Sequence, residues 1–239
     1  MPDQPDALRS ILQEGDLSLQ GQFMPGSNYT FLVKVCYGEQ EVPAVYKPQK
    51  GEQPLWDFPE ASLAGREVAA YLVSEALGFH FVPLTVLRNG PFGPGSLQQY
   101  IEYNPNYHYF NFSSIDRQRL RPVALFDLLV NNADRKGSHI LVEKHTRRLF
   151  LIDHGLCFHA EDKLRTVLWD FAGEPIPDEL LSILETVQSV LSSGLSTDLQ
   201  PYLEPGEIAA LQSRAEAILA DGKFPNPPED RRAFPYPPI

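Results

Sequence analysis

Two carboxylates in this chain stand where a carboxylate is costly. Leu149-Phe150-Leu151-Ile152 is a wholly apolar run that ends in Asp153, with Gly155 two residues on. A charged group at the end of a buried strand is stable only when it is paired or binds a cation. The other, Asp134, closes the run Asn131-Asn132-Ala133-Asp134, which follows the apolar stretch Leu128-Leu129-Val130; His139 comes five residues after it. A short hairpin, expected over residues 140–142 and 148–152, joins the two sites, so Asp134 and Asp153 should emerge on the same side. That geometry suits phosphoryl transfer. One Asp orients or deprotonates the attacking group, and the other holds magnesium on the nucleotide phosphates. Each has a plainer reading as a turn residue satisfied by backbone amides. Found together, joined by a hairpin and preceded by a sheet-forming half, they favour the chemical reading.

Further residues fit the same chemistry. Lys47 ends the short strand Ala44-Val45-Tyr46-Lys47 and precedes Pro48. Its alternatives are a solvated strand end and a lysine aimed at the α- and β-phosphates. The turn Gly26-Ser27-Asn28 could present backbone donors to phosphates, or be an ordinary hairpin turn. Glu67, twenty residues after Lys47, is the candidate ion-pair partner for that lysine. Val68, Leu72 and Ala76 mark the apolar side of its helix and Glu67 falls away from them, so a solvated glutamate is the alternative. A different chemistry is also open. His139, His145, Asp153, His154, Cys157 and His159 lie close in sequence, and His154-x-x-Cys157-x-His159 could hold zinc. Its spacing fits no common finger, and strand alternation would send these side chains to both faces.

The elements that must carry these residues fall into two halves. The first reads as β-rich: strands over residues 17–23, 29–37 and 44–47, a loop over 49–63, a helix over 64–77 closed by Gly78, and strands over 81–88 and 96–102 around a loop at 89–95. The second reads as helical, with helices at 118–129, 178–191 and 207–220 and the small hairpin between them. This is an α+β plan of a β-rich lobe and a mainly helical lobe, with a cleft between them as the natural ligand site. The expected divisions are an N-terminal extension at 1–16, an N-lobe at 17–102, a C-lobe at 103–224 and a tail at 225–239. That tail holds six prolines (Pro225, Pro227, Pro228, Pro235, Pro237 and Pro238) and must be extended, either loose or wrapped on the body through Phe234 and Tyr236.

Composition narrows the function classes. The chain has 239 residues, 43% of them hydrophobic and 21% charged, in the range of an ordinary globular protein. Twenty basic against 31 acidic residues give a formal charge of −11, which weighs against a nucleic-acid partner. No apolar run reaches the length of a membrane span, and the first residues lack an apolar signal core, so a cytoplasmic protein is expected. Cys36 and Cys157 do not make a disulfide framework. The only local basic cluster, Lys144-His145-Thr146-Arg147-Arg148, sits at a hairpin tip and reads as solvated rather than as a lipid dock.

Four motifs together resemble a known family. They are Val45-Tyr46-Lys47-Pro48-Gln49-Lys50-Gly51-Glu52; Gly65-Arg66-Glu67-Val68-Ala69-Ala70-Tyr71-Leu72-Val73 running to Val82-Pro83-Leu84-Thr85; Asn131-Asn132-Ala133-Asp134-Arg135; and Leu151-Ile152-Asp153-His154-Gly155-Leu156. Over residues 21–158 the chain resembles the phosphatidylinositol 3-/4-kinase-like superfamily. It is most similar to the type II phosphatidylinositol 4-kinases and small bacterial, actinobacterial-type relatives, and HipA-type kinases share the plan. The resemblance implies a two-lobed protein-kinase-like fold and an ATP- and magnesium-dependent phosphotransferase, with manganese as the other fitting ion. Lys47 would bind the ATP phosphates; Glu67, as the ion-pair partner of that lysine, and Ser27 and Asn28, through the backbone of their turn, would belong to the same nucleotide site. Gln98, Gln99, Tyr100 and Ile101 would form the hinge that meets adenine. Asp134 would be catalytic, with Arg135 beside it, and Asp153 the metal ligand. His139 stands where these kinases carry Asn as a second metal ligand, and imidazole suits magnesium less well than oxygen does. The expected acceptor is a protein or soluble small molecule rather than a membrane lipid. The alternative is a nucleotide-binding, pseudokinase-like module without turnover.

Overall fold

The structure, a computed structural model, describes residues 5–23 and 29–239, with Pro5 described in its backbone only. One half is a five-stranded antiparallel sheet of β1 (Asp16–Gln22), β2 (Phe31–Tyr37), β3 (Gln40–Pro48), β4 (Thr85–Gly90) and β5 (Gly93–Gln99), in the order β1-β2-β3-β5-β4. Strand alternation sorts the faces. Phe31, Val33 and Val35 of β2 pair with Tyr46, Ala44 and Val42 of β3, and all are buried. Val45 and Lys47, the intervening residues of β3, line the cleft.

Two helices complete the core of this lobe: α1 (Pro5–Glu14) and α2 (Leu63–Ala76). Within the expected N-terminal extension, α1 seats Ile11 and Leu12, at 1% and 0% exposure, against the sheet. Arg88 fixes its end by donating to the carbonyls of Leu12 (2.9 Å) and Gly15 (2.8 Å). The strand expected over 81–88 begins only at Thr85, because Ser74 takes the amides before it. Its hydroxyl accepts from Phe81 (2.8 Å) and its carbonyl from Phe79 (2.9 Å). The expected loop at 89–95 is a tight hairpin between β4 and β5. There Gly95 passes so close to β3 that a Cβ would lie 2.5 Å from the Lys47 carbonyl oxygen, so glycine is required for β3 and β5 to pair at the lysine.

The other half is helical: α3 (Ser114–Gln118), α4 (Arg121–Val130), α5 (Asp178–Val190), α6 (Ser196–Leu199) and α7 (Pro205–Asp221), with the hairpin β6 (Ile140–Val142) and β7 (Leu149–Leu151) set among them. The single helix expected at 118–129 is two, α3 and α4, the second beginning with Pro at its N-terminus. In α5, Leu180, Leu184 and Val187 form the buried stripe, as the spacing predicts. The lobes share one apolar cluster. Phe126 of α4 meets the edge of Phe79, beyond α2, at a ring separation of 5.3 Å. This is a two-lobed, kinase-like α+β fold.

The proline-rich tail is docked, but not by its aromatic residues. Phe234 and Tyr236 are 50% and 80% exposed, whereas Ala233 and Pro235 are buried. Backbone bonding explains the difference: the Ala233 carbonyl accepts from the Thr166 amide (3.1 Å) and the Trp169 indole (3.2 Å), which turns the neighbouring side chains outward. Among the described residues no helix is long and apolar enough to cross a membrane.

Candidate active site

Between the lobes lie two adjoining cavities of about 450 and 380 Å³ that share Thr30, Lys47, Ser138, His139 and Asp153. The first is polar and holds Glu52, Glu67, Asp134 and Lys136. The second is lined by Val45, Tyr100, Ile101, Tyr103, Leu141 and Ile152. Asp134 and Asp153, drawn together from sequence spacing alone, open into the same cavity.

Asp153 follows β7 with φ +63°, a left-handed backbone that Asp tolerates better than most residues. Its side chain keeps 47% exposure and meets the Lys47 ammonium at 3.1 Å and the His139 Nε2 at 3.3 Å. Burial alone would raise its pKa, but the charge of the Lys47 ammonium, which also donates to it, overcomes that and holds it well below the usual carboxylate range. Burial likewise works against the Lys47 ammonium, and Asp153 and Glu67 outweigh it, so the lysine stays protonated. Glu67 is 3% exposed. One of its oxygens accepts from Lys47 and the other from the backbone N–H of His154 (2.9 Å), so one carboxylate ties β3, α2 and the segment after β7 together. Helix-face arithmetic pointed away from Glu67 because α2 has no solvent side there: eleven of its 14 residues are buried.

Asp134 is presented by a turn. Asn131 ends α4 in a left-handed conformation (φ +55°), and the side-chain oxygen of Asn132 accepts from the Asp134 amide at 2.9 Å. Burial raises the pKa of Asp134, partly offset by Lys136, whose ammonium lies 3.1 Å from its carboxylate. Sequence reading missed Lys136 and Glu52. Lys136 sits two residues after Asp134, a spacing that was a usable signal. Glu52 accepts from the amides of Leu63 (3.2 Å) and Ala64 (2.9 Å), capping α2 from a distant loop that no local pattern reveals.

Arg135, expected beside Asp134 as catalytic, is fully buried and lines neither cavity. Its guanidinium pairs with the equally buried Asp127 at 3.0 Å, donates to the Ile152 carbonyl at 2.8 Å and meets His154 Nε2 at 2.9 Å. It braces the loop of Asp134 against the strand of Asp153 from below. His139 does face the cleft. Burial lowers its pKa to about 4, against the pull of Asp153, so at neutral pH the ring is uncharged. The amide of Lys136 donates weakly to its Nδ1 (3.5 Å), which leaves the ring's proton on Nε2 toward Asp153. In the expected hinge, Gln98, Gln99, Tyr100 and Ile101 all line the second cavity. The Gln99 and Tyr100 amides are already bonded to the carbonyls of Leu84 (2.8 Å) and Pro43 (3.3 Å). Ser27 and Asn28 lie outside the described residues.

The zinc reading fails on orientation. His154 faces Arg135 and the edge of Phe126, His159 packs on Phe58, and Cys157 is buried. Among the described residues no three His, Cys, Asp or Glu side chains gather as a metal cage. The two carboxylates facing one cavity suit a different ion: magnesium takes one or two carboxylates and completes its shell with phosphate oxygens and water. The basic hairpin tip is paired rather than free, with Lys144 on Glu102 and Arg147 on Asp116 (2.6 Å).

The family model for phosphatidylinositol 3- and 4-kinase matches residues 66–200, from α2 through both candidate aspartates into the helical lobe. The chain belongs to the phosphatidylinositol 3- and 4-kinase family. Protein Rv2133c of Mycobacterium tuberculosis is 38% identical over 97% of this chain and 95% of its own length. The rice (Oryza sativa subsp. japonica) phosphatidylinositol 4-kinase gamma 4 is 28% identical over 69% of this chain, which spans 36% of that protein. The crystal structure of the Helicobacter pylori proinflammatory kinase CtkA superposes with a TM-score of 0.56 at 11% identity, covering 89% of this chain and 94% of that one, and so shares the fold. Family membership makes the chain a phosphotransferase of the phosphatidylinositol-kinase-like kind.

Proposed function

We propose that the chain transfers the γ-phosphoryl group of ATP to a hydroxyl of a polypeptide or small molecule, with magnesium as the metal. The observation that carries this is the convergence of Lys47, Asp134 and Asp153 on one interlobe cavity, with Lys47 gripped by Glu67. Adenine would lie in the apolar cavity and meet the backbone at Ile101, since the two preceding amides are taken. Lys47 would bind the α- and β-phosphates. Asp153 would hold the ion, which supplies charge neutralisation on the phosphates. Asp134 would accept the proton of the attacking hydroxyl, and its raised pKa suits a group that takes up a proton. The hydroxyl oxygen bonds to the γ-phosphorus as the bond to the bridging oxygen breaks, and ADP leaves with that electron pair. Lys136 would neutralise charge on the group in transit. His139 would orient the carboxylate of Asp153 through its Nε2 proton rather than act as an open metal ligand.

The test is nucleotide binding by titration calorimetry with and without magnesium, followed by transfer of label from γ-labelled ATP. Magnesium-dependent binding with transfer supports the kinase reading. Binding without transfer or hydrolysis supports the nucleotide-binding module, the reading that His139 in place of Asn favours.

A further inference from the structure

The proline-rich tail does more than cover the helical lobe. It runs alongside the segment at residues 162–169, which is itself paired with the loop that carries Asp134: the Arg135 amide donates to the Arg165 carbonyl (3.0 Å) and the Arg165 amide to the Asn132 carbonyl (2.9 Å). Arg231 donates to the Leu164 carbonyl (2.7 Å) and to Asp162 (2.6 Å). The Ala233 carbonyl receives two donors from Thr166 and Trp169. The Pro238 carbonyl then accepts from the amide of Gly137 at 2.8 Å, in the turn between Asp134 and His139. Ile239 completes the wall of the cavity that contains Asp134 and Lys136. The tail is thus an extended chain, held mainly through its backbone carbonyls, at the edge of the cavity from which a hydroxyl would approach Asp134.

We propose that this track is the acceptor site, that it binds extended polypeptide, and that residues 231–239 occupy it as an intramolecular stand-in that restrains transfer until lifted. The proposal rests on the kinase reading above. Three features favour a polypeptide over a lipid. The track already holds one, and donors that pair with backbone carbonyls read any sequence. Pro235, Pro237 and Pro238 spare the tail the exposed amides that an extended strap would leave unpaired. The one local basic cluster, Lys144 to Arg148, has its ion pairs within the protein and offers little to an anionic headgroup.

The experiment uses the full chain with Ala233→Asp, which puts a charge at a buried tail position, and separately Arg231→Ala, which removes two tail contacts and touches no core. The substrates are a library of Ser-, Thr- and Tyr-centred peptides and, in parallel, phosphatidylinositol vesicles. Binding of a fluorescent ATP analogue is measured on every protein. Both variants should bind nucleotide as the wild type does and phosphorylate peptides about tenfold faster, as losing two or three hydrogen bonds allows. A synthetic peptide of residues 229–239, added in trans, should slow the freed variants again. Equal peptide rates in all three proteins, including no transfer by any, overturn the proposal. So does a gain confined to the vesicles. Absence of nucleotide binding in the wild type would instead remove the reading of the site itself.

Discussion

Lys47 is the residue on which the site's electrostatics converge, because it answers two carboxylates at once. Removing either acid has a different expected consequence. Asp153→Asn leaves Lys47 paired with Glu67, so folding should survive; magnesium-dependent nucleotide affinity, read by calorimetry, should fall by at least about tenfold, and label transfer should stop. Lys47→Ala removes the cation and leaves the nearly buried Glu67 without its charge partner, so both nucleotide affinity and melting temperature should drop. Undiminished nucleotide binding in both variants would place the phosphates elsewhere. Asp134 and Asp153 were legible in the sequence because an acid after an apolar run demands an explanation. The structural role of Arg135 was not. Its partner Asp127 lies eight residues back, inside a helix that reads as simply apolar.

At the level of elements, α2 links the lobes. Arg66, 1% exposed, reaches from α2 to Glu207 of α7 at 2.6 Å, to the Cys157 carbonyl at 2.6 Å and over the ring of Phe58. Removing one partner of a buried ion pair leaves the other charge stranded. Arg66→Met should therefore cost roughly 3–5 kcal/mol in urea unfolding. Adding Glu207→Leu should recover part of that loss, a non-additivity that a surface pair would not show. The pairing joins residues 141 positions apart, so no helical or strand period could have revealed it. Helix periods did reveal α5 and α7, each of which buries a single narrow stripe. They also placed α2, expected over 64–77 and found at Leu63–Ala76, but could not assign the face of Glu67 because that helix is surrounded; α1, within the stretch read as an extension, was missed.

For the molecule as a whole, acid should loosen the fold already in the range where a free histidine takes up its proton. His139 and His154 are held neutral, His139 to about pH 4 and His154 well below the ordinary value of 6.5, in both cases mainly by burial. Between those pH values the unfolded chain binds protons that the folded chain refuses, so stability falls as pH falls through that window. Asp153, with its lowered pKa, adds a loss only at still lower pH, while the raised Asp134 and Glu52 carboxyls work in the opposite direction. The urea midpoint should drop from pH 7 to pH 4.5, and His139→Asn should shrink that drop; an equal drop in both proteins would mean His139 titrates normally. The sequence by itself determined the α+β plan, the order of the lobes and the two acids of the cleft, because local periodicity and an apolar run ending in a charge are properties of neighbouring residues. Only the tertiary structure decided that Glu67 is buried on Lys47, that Arg135 is buried on Asp127, and that the tail lies beside Asp134. Each of those depends on which distant segment a side chain or carbonyl meets, and burial makes such meetings energetically decisive, whereas sequence spacing could offer Glu67 as a partner for Lys47 but not choose between that pairing and solvent.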